Sequence, residues 1–290
     1  MVPFAQYVNT GVSRRNELWM TVPADYVQNV AAGACTTQTT KTTCQTQTYS
    51  CTKYSDGIPY NSTCSRSINC VTTPLNPPKT TCPQAYTVNH VYSGCTGSPT
   101  YPKNVQDSDL TRKYPGYLDL TCASELLPLT NNFATVKTKI SSLTAAGDTY
   151  IPAGLAWGFN LISNPVPFTE AEVYDASGRN LEPRKAIVLM TDGANSKLMN
   201  AGNGRHDGNP GNGQPATQAN TYTAELCTNI KAQKIEVFTV AFQVPDAAAK
   251  TMLQTCASDA QHYFDATDSA ALDASFAAIA QAMRAIYIAK

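Results

Sequence analysis

The chain has 290 residues, enough for one large α/β domain with an insertion or for two small domains. It carries 21 lysines and arginines against 21 aspartates and glutamates, so nothing favours a nucleic-acid partner or an anionic membrane surface. The sequence contains no run of eighteen apolar residues and no signal-peptide pattern at Met1, so we expect nothing in these residues themselves to export or anchor the chain.

Ten cysteines indicate an oxidising compartment, because cytosolic proteins of this size seldom carry so many without binding metal or cycling redox states. The sequence has no C-x₂-C pair, and its three histidines are scattered, which argues against zinc. We therefore expect disulfides. Because the sequence shows no export signal, we also expect the true N-terminus to lie upstream of Met1.

Two strands are predicted before the composition changes, over residues 2–8 and residues 17–22. From about Ala31 to Cys122, eight of the cysteines lie among threonine, serine, asparagine and proline. Apolar residues there are too few for a separate core, so residues 31–121 are predicted to be an insertion held together by disulfides. The sequence cannot choose among the many pairings that eight cysteines allow.

Tyrosines are frequent in and around the predicted insertion. They either form a recognition surface or cover the disulfides as a minimal core, and the second interpretation is favoured. The tyrosines concerned are Tyr49, Tyr54, Tyr60, Tyr86, Tyr92 and Tyr101.

A loop at residues 147–152 joins two predicted helices. Apolar residues recur at steps of three and four on both sides of it, which predicts an amphipathic helix on each side. Thr149 lies in the loop, and its hydroxyl is a hard oxygen donor that suits Mg²⁺. The two apolar stripes are Phe133, Val136, Ile140 and Leu143 before the loop, and Ile151, Leu155, Phe159 and Ile162 after it.

The apolar run at residues 186–190 is predicted to be a short buried strand, because Gly193 closes it after a few residues. Strands that are apolar on both faces belong to parallel sheets that helices cover on each side. Asp192 then lies just past the carboxyl end of this strand, where open α/β sheets place their ligand sites. It is either a ligand of such a site or a residue that caps the following turn.

The segments GDTYIPAGLAWGFNLIS and IVLMTDGAN resemble the metal-site threonine loop and the strand-borne aspartate of the von Willebrand factor A (vWA) family. Further short segments, among them VPFAQYVNTG, LCTNIKAQKIEVFTVAF and FAAIAQAMRAIYI, are similar to the vWA portion of TadG-like proteins. Those proteins belong to pilus assembly in the tight-adherence (Flp) system. The resemblance covers roughly residues 1–24 and 120–290.

The resemblance implies a vWA domain over residues 1–30 and 122–290, interrupted by the insertion. It also implies a site for Mg²⁺ or another divalent cation, with Thr149 and Asp192 among the ligands. In the family, the open position of the metal accepts a carboxylate from a protein partner. Asp148 is a further candidate ligand beside Thr149, although a role in the loop itself is favoured.

The sequence departs from the family at its beginning. The family's first strand, which is central to the sheet, ends in an Asp-x-Ser-x-Ser loop that supplies three metal ligands, and neither occurs here. We therefore expect an N-terminally truncated domain with a partial site that binds Mg²⁺ weakly or not at all. Residues 2–8 should then pair directly with the strand at residues 186–190, or the sheet should be poorly stable, because unpaired buried backbone groups are costly.

The remaining chain alternates between helical and strand patterns, which predicts a doubly wound, mostly parallel, Rossmann-like sheet. The strand at residues 235–242 is flanked by helices that carry Cys227 and Cys256. Successive right-handed crossovers place these helices side by side, so a disulfide between the two cysteines is geometrically reasonable. In the Gly- and Asn-rich loop at residues 199–218, His206 and Asp207 form either a ligand pair or, as we favour, a solvated pair.

Three classes of function are considered. The leading one is a non-enzymatic protein-binding or adhesion module, and the alternative is an envelope scaffold with a vestigial metal site. An enzyme is disfavoured, because the sequence contains no G-x-S-x-G, H-E-x-x-H or P-loop motif. The resemblance implies a location in the bacterial periplasm, cell envelope or cell surface. It implies pilus-assembly or envelope proteins as partners, no nucleic acid, and a membrane contact only through an N-terminal anchor missing from this sequence.

Overall fold

The structure of the chain, a computed structural model, describes residues 1–55, 58–106, 111–145, 147–163, 167–173, 183–211 and 214–284. The chain divides into two compact units. The main unit comprises Met1–Pro23 and Tyr92–Lys290, and the ribbon unit comprises Ala24–Val91.

The strands of the described residues are β1 (Val8–Asn9), β2 (Met20–Thr21), β3 (Tyr26–Val30), β4 (Thr36–Ser55), β5 (Ile58–Thr81), β6 (Tyr86–His90), β7 (Tyr92–Thr96), β8 (Tyr114–Leu118), β9 (Ala186–Thr191), β10 (Glu236–Phe242) and β11 (Tyr263–Ala266). The helices are α1 (Phe133–Ser141), α2 (Ile151–Ile162), α3 (Thr217–Ala232), α4 (Ala247–Cys256) and α5 (Ser269–Arg284).

A parallel sheet in the main unit has the strand order β11–β10–β9. Val237 and Val240 of the central strand are fully buried, as expected for a strand that helices cover on both faces. The neighbouring helices α3 and α4 pack against β10. Cys227 of α3 and Cys256 of α4 form a disulfide, with their Cα atoms 5.1 Å apart.

The predicted doubly wound, mostly parallel Rossmann-like sheet is wrong. Within the described residues, the parallel sheet has three strands, and the other strands of the main unit form a separate sheet in the order β1–β7–β8–β2. β1 pairs antiparallel with β7, through Val8 opposite Thr96, and does not pair with β9 as the sequence led us to expect. The physical reason is that β7 and β8, which lie in sequence assigned by composition to the insertion, pair with the N-terminal strands.

Buried aromatic side chains explain why β7 and β8 belong to the main unit. Tyr92 of β7 and Tyr114 of β8 are each 3% exposed, and they pack in one cluster with Trp19 and Trp157. A disulfide between Cys95 and Cys122 closes the loop that contains β8. Burying a large side chain of this kind contributes roughly 1.5–3 kcal/mol, which outweighs the polar character of the surrounding sequence.

Helix α2 lies between the two sheets and contributes to both cores. Ile151, Leu155 and Phe159 recur every four residues and pack toward the parallel sheet, in one cluster with residues of β9, β10 and α3. Trp157 and Leu161 pack in the second cluster, with the aromatic side chains near β2, β7 and β8. The helix is therefore apolar around most of its circumference, as its sequence IPAGLAWGFNLI requires.

Helix α1 forms where its apolar stripe predicts a helix, and the side chain of Asn132 caps it by accepting a hydrogen bond from the Thr135 N–H. The stripe is nevertheless exposed, with Phe133 at 80% and Ile140 at 53%. The spacing thus predicted the helix correctly but not its environment.

The ribbon unit consists of antiparallel strand pairs. β4 pairs with β5 along almost its whole length, and β3 pairs with β6. Three disulfides cross the β4–β5 ribbon in nested order, Cys35–Cys82, Cys44–Cys70 and Cys51–Cys64. An isolated two-stranded ribbon is marginal in water, so these bonds supply the stability that a hydrophobic core would otherwise give.

Candidate functional site

The loops that carry Thr149 and Asp192 lie against each other. The Ser196 N–H donates to the Thr149 carbonyl at 2.9 Å, and the Thr149 N–H donates to the Ser196 hydroxyl at the same distance. The Lys197 N–H donates to the Thr149 carbonyl as well, at 3.1 Å. The structure therefore brings together the two predicted ligand loops, through backbone groups and one serine hydroxyl.

Asn195 joins these loops to two helices. Its side-chain oxygen accepts a hydrogen bond from the Ile151 N–H at 2.7 Å, which satisfies one of the free donors at the start of α2. Its side-chain nitrogen donates to the Asn220 oxygen of α3 at 2.9 Å. Asn195 is only 5% exposed, so this network is internal. Sequence reasoning missed Asn195, although a polar residue just after Gly193 at the end of a buried strand was a usable signal.

The donor atoms at the two loops do not fit a tightly bound Mg²⁺ by themselves. Asp192 is exposed, and the Asp148 carboxylate lies 3.1 Å from the Lys197 ammonium group. Mg²⁺ requires several oxygen ligands in near-octahedral geometry, and a neighbouring ammonium group repels it. Among the described residues, no group of three or more histidine, cysteine, aspartate or glutamate side chains is placed to hold a metal ion. Thr149 and Asp192 therefore supply one hydroxyl and one carboxylate on adjoining loops.

A second constellation surrounds His206, which is fully buried rather than solvated. Its ring stacks between those of Tyr7 and Tyr150, with centroids 4.9 Å and 4.2 Å away. Its Nδ1 lies 2.7 Å from the Gln6 carbonyl oxygen, and its Nε2 lies 2.8 Å from the Ser98 hydroxyl. A carbonyl oxygen can only accept, so Nδ1 carries the proton and Nε2 accepts from Ser98.

Burial lowers the pKa of His206 to about 4, because an enclosed apolar environment disfavours the charged imidazolium. A serine hydroxyl bonded to a histidine resembles a nucleophile and its general base. Here, however, the ring is enclosed between two tyrosines, and Ser98 itself is only 7% exposed. The pair instead ties residues near β1 and β7 to the Gly- and Asn-rich loop. The neighbouring Asp207 pairs with Arg205 at 2.9 Å, so His206 and Asp207 do not act together.

The ribbon unit carries four exposed tyrosines of the region predicted as an insertion, and Tyr101 of the main unit is exposed as well. Tyr49, Tyr54 and Tyr60 each leave 46–47% of their surface exposed, and Tyr86 leaves 59%. Tyr92, by contrast, is buried in the main unit. The tyrosines of the ribbon thus do not enclose the disulfides as a minimal core, and the alternative of a recognition surface is the one that their exposure favours.

All ten cysteines of the chain are paired in five disulfides, which fits a protein of an oxidising compartment. In the part of the chain that the structure describes, no helix has both the length and the apolar character needed to cross a bilayer. Comparison with protein-family models gives no match, and a search of curated proteins finds no relative of the chain.

Proposed function

We propose that this chain is a non-enzymatic binding or adhesion module that works in the oxidising space of a bacterial envelope or at the cell surface. One observation carries the proposal: a ribbon of two long strands, crossed by three disulfides, holds its tyrosines half-exposed. Exposed aromatic side chains on a rigid support are the usual anchors of binding surfaces, because little conformational entropy is lost when they are covered.

The stiffness of the ribbon supports binding rather than turnover. The Cys51–Cys64 and Cys44–Cys70 bonds fix the ribbon on either side of Tyr49. A surface held in one conformation loses less conformational entropy on binding, which raises its affinity without any further contact.

The cellular context of the proposal comes from the sequence. Segments on both sides of the ribbon resemble TadG-like proteins, so we place the module in pilus assembly of the tight-adherence system. Its partners would then be other pilus-assembly or envelope proteins. This context rests on the short matching segments, and the binding role rests on the ribbon.

The alternative is an envelope scaffold in which the metal site is vestigial. Thr149 and Asp192 lie on adjoining loops, which is the observation that keeps a cation-assisted contact in consideration. In that contact, a partner's carboxylate would complete the ligands of a divalent cation. Dependence of partner binding on divalent cations distinguishes a cation-assisted contact from a vestigial metal site.

Binding of the fluorescently labelled chain to cells of a bacterium that assembles tight-adherence pili tests the proposal. We expect saturable binding that the unlabelled chain displaces, with about equal affinity in the presence of Mg²⁺ or of a chelator. Binding that neither saturates nor is displaced would overturn the proposed function. Saturable binding that requires Mg²⁺ and is lost in Asp192→Ala would instead place the binding surface at the two loops.

A further inference from the structure

Charge is unevenly distributed between the ribbon and the rest of the chain. Residues 36–81 contain four basic residues and one acidic residue, so this segment carries a formal charge of +3 and the remaining chain carries −3. The whole sequence has no net charge, but the ribbon by itself is basic. A basic surface favours acidic ligands and speeds their encounter.

The strand register places two tyrosines and two basic residues of the ribbon on one face, whereas Tyr54, opposite Pro59, lies on the other. Tyr49 is directly opposite Cys64, and Lys53 is directly opposite Tyr60. Gln47 is opposite Arg66, two residues along the strand from Tyr49. Because directly opposed residues and residues two apart share a face, these side chains form one surface. We call it the basic–aromatic face and define it as Gln47, Tyr49, Lys53, Tyr60 and Arg66.

The other face of the same ribbon is lined with hydroxyl groups. Thr48 lies opposite Ser65, and Ser50 lies opposite Thr63. Thr52 continues this row. Along residues 48–54 this face also carries Tyr54 but no basic residue, and its threonines provide a matched control for the basic–aromatic face.

Part of the basic–aromatic face is already ordered. The Arg66 side chain donates from Nε to the Gln47 side-chain oxygen at 2.8 Å, and its guanidinium lies 5.8 Å from the centre of the Tyr49 ring. The Gln47 amide thus holds the cation close to an exposed aromatic ring. An acidic group bound by Arg66 would bring the neighbouring part of its ligand onto Tyr49.

From this arrangement we propose that the basic–aromatic face binds a linear acidic polysaccharide, one whose sugars carry carboxylate or sulfate groups. This inference rests on the proposed function and names the chemistry of a ligand for it. Tyrosine rings would stack on the apolar faces of the sugars, and Lys53 and Arg66 would bind the acidic groups. The amide of Gln47 and the tyrosine hydroxyls would form hydrogen bonds with the sugar hydroxyls.

The spacing of the cations favours a polysaccharide over a nucleic acid. Arg66 lies opposite Gln47, six residues from Lys53, so the two cations are about 20 Å apart along the ribbon. Duplex DNA carries a charge about every 1.7 Å, and its binding proteins present many more cations over such a length. Acidic groups carried on successive sugars lie farther apart than the charges of duplex DNA, and they match two distant cations better. The aromatic residues of the ribbon are all tyrosines, without the tryptophan and phenylalanine that anchor proteins in membranes.

The test measures binding of the full chain to four size-matched probes: polygalacturonate for carboxylates, dextran sulfate for sulfates, neutral dextran, and oligothymidylate. We expect saturable binding to one or both acidic polysaccharides and none to neutral dextran. The double variant Tyr49→Ala with Tyr60→Ala should bind about tenfold more weakly. The double variant Lys53→Gln with Arg66→Gln should lose about the same affinity, and its remaining binding should depend less on salt concentration.

Two control variants separate the face from general effects. Thr48→Ala with Thr52→Ala alters the hydroxyl face, and Lys113→Gln with Lys137→Gln removes the same charge from exposed positions of the main unit. Both should bind within about twofold of the unaltered chain. Disulfide mapping of each variant verifies that the ribbon is intact.

Three results would overturn the inference: no binding to either acidic polysaccharide, equal losses in the control variants, or oligothymidylate binding as tight and as sensitive to the same residues. If the chain binds cells saturably but no polysaccharide, this inference fails and the proposed function stands. If it binds an acidic polysaccharide but not cells, the proposed cellular role fails and the assignment of the face stands.

Discussion

The side-chain oxygen of Asn195 accepts a hydrogen bond from the backbone N–H of Ile151, 2.7 Å away, at the first residue of the buried helix α2. Tyr150, which precedes the helix, gives no side-chain cap, so Asn195 provides this acceptor from a different loop. One residue thereby couples the end of β9 to the start of the helix that lies between the two cores.

Replacing this residue should measure the coupling. Asn195→Ala leaves a buried N–H without its acceptor, so we expect the free energy of unfolding to fall by about 1–3 kcal/mol. Asn195→Asp keeps the acceptor, so its free energy of unfolding should fall by less, although the substitution removes the donor to Asn220. Denaturant unfolding of the three proteins gives the comparison, and an unchanged midpoint in Asn195→Ala would contradict the assigned role.

Acid should destabilise the main unit through His206. Burial lowers its pKa to about 4 in the folded chain, whereas an unfolded histidine titrates near 6.5. The unfolded state therefore binds more protons as the pH falls from about 6.5 to about 4, and stability falls with it, by on the order of 2 kcal/mol. Denaturant midpoints measured across this range should decline more steeply in the unaltered chain than in His206→Gln. Parallel declines in both proteins would show that carboxylates alone cause the effect.

The predicted partial metal site should bind Mg²⁺ in the millimolar range or more weakly. Thr149 and Asp192 offer too few ligands, and Lys197 lies beside Asp148. Asp192→Ala should therefore leave the Mg²⁺ affinity measured by calorimetric titration unchanged. Lys197→Gln should raise that affinity slightly, because it removes a repulsive charge. Micromolar binding that Asp192→Ala abolishes would contradict this expectation.

The disulfide nearest the closed end of the ribbon should be essential to its local order. In Cys51→Ser with Cys64→Ser, the strands lose a cross-link that closes a short loop, worth roughly 3 kcal/mol in the chain-entropy model. Amide hydrogens of residues 45–68 should then exchange faster, while those of β10 stay as they are. Unchanged protection in the ribbon would mean that cross-strand pairing alone suffices.

Local patterns in the sequence predicted local structure well. The apolar runs of β9 and β10 and the helical stripe of α2 all form the predicted elements. The proximity of Cys227 and Cys256 followed from two helices on either side of one strand. Each of these features depends on residues that are close in sequence or on a single crossover, so the signal lies within a short stretch of chain.

Long-range pairing was not predictable from composition. Residues around Tyr92 and Tyr114 lie in polar sequence, and nothing local shows that they pair with the N-terminal strands. The burial of His206 depends on Gln6, Tyr7 and Ser98, all distant in sequence, so its Gly- and Asn-rich surroundings gave the wrong expectation.

The most direct test of the account compares two double variants for binding to piliated cells. Tyr49→Ala with Tyr60→Ala alters the basic–aromatic face, and Thr48→Ala with Thr52→Ala alters the hydroxyl face of the same ribbon. Titration of labelled chain should show affinity falling about tenfold for the tyrosine variant and staying within about twofold for the threonine variant. Equal affinity for cells in the tyrosine variant and the unaltered chain would contradict the claim that the ribbon is the binding element.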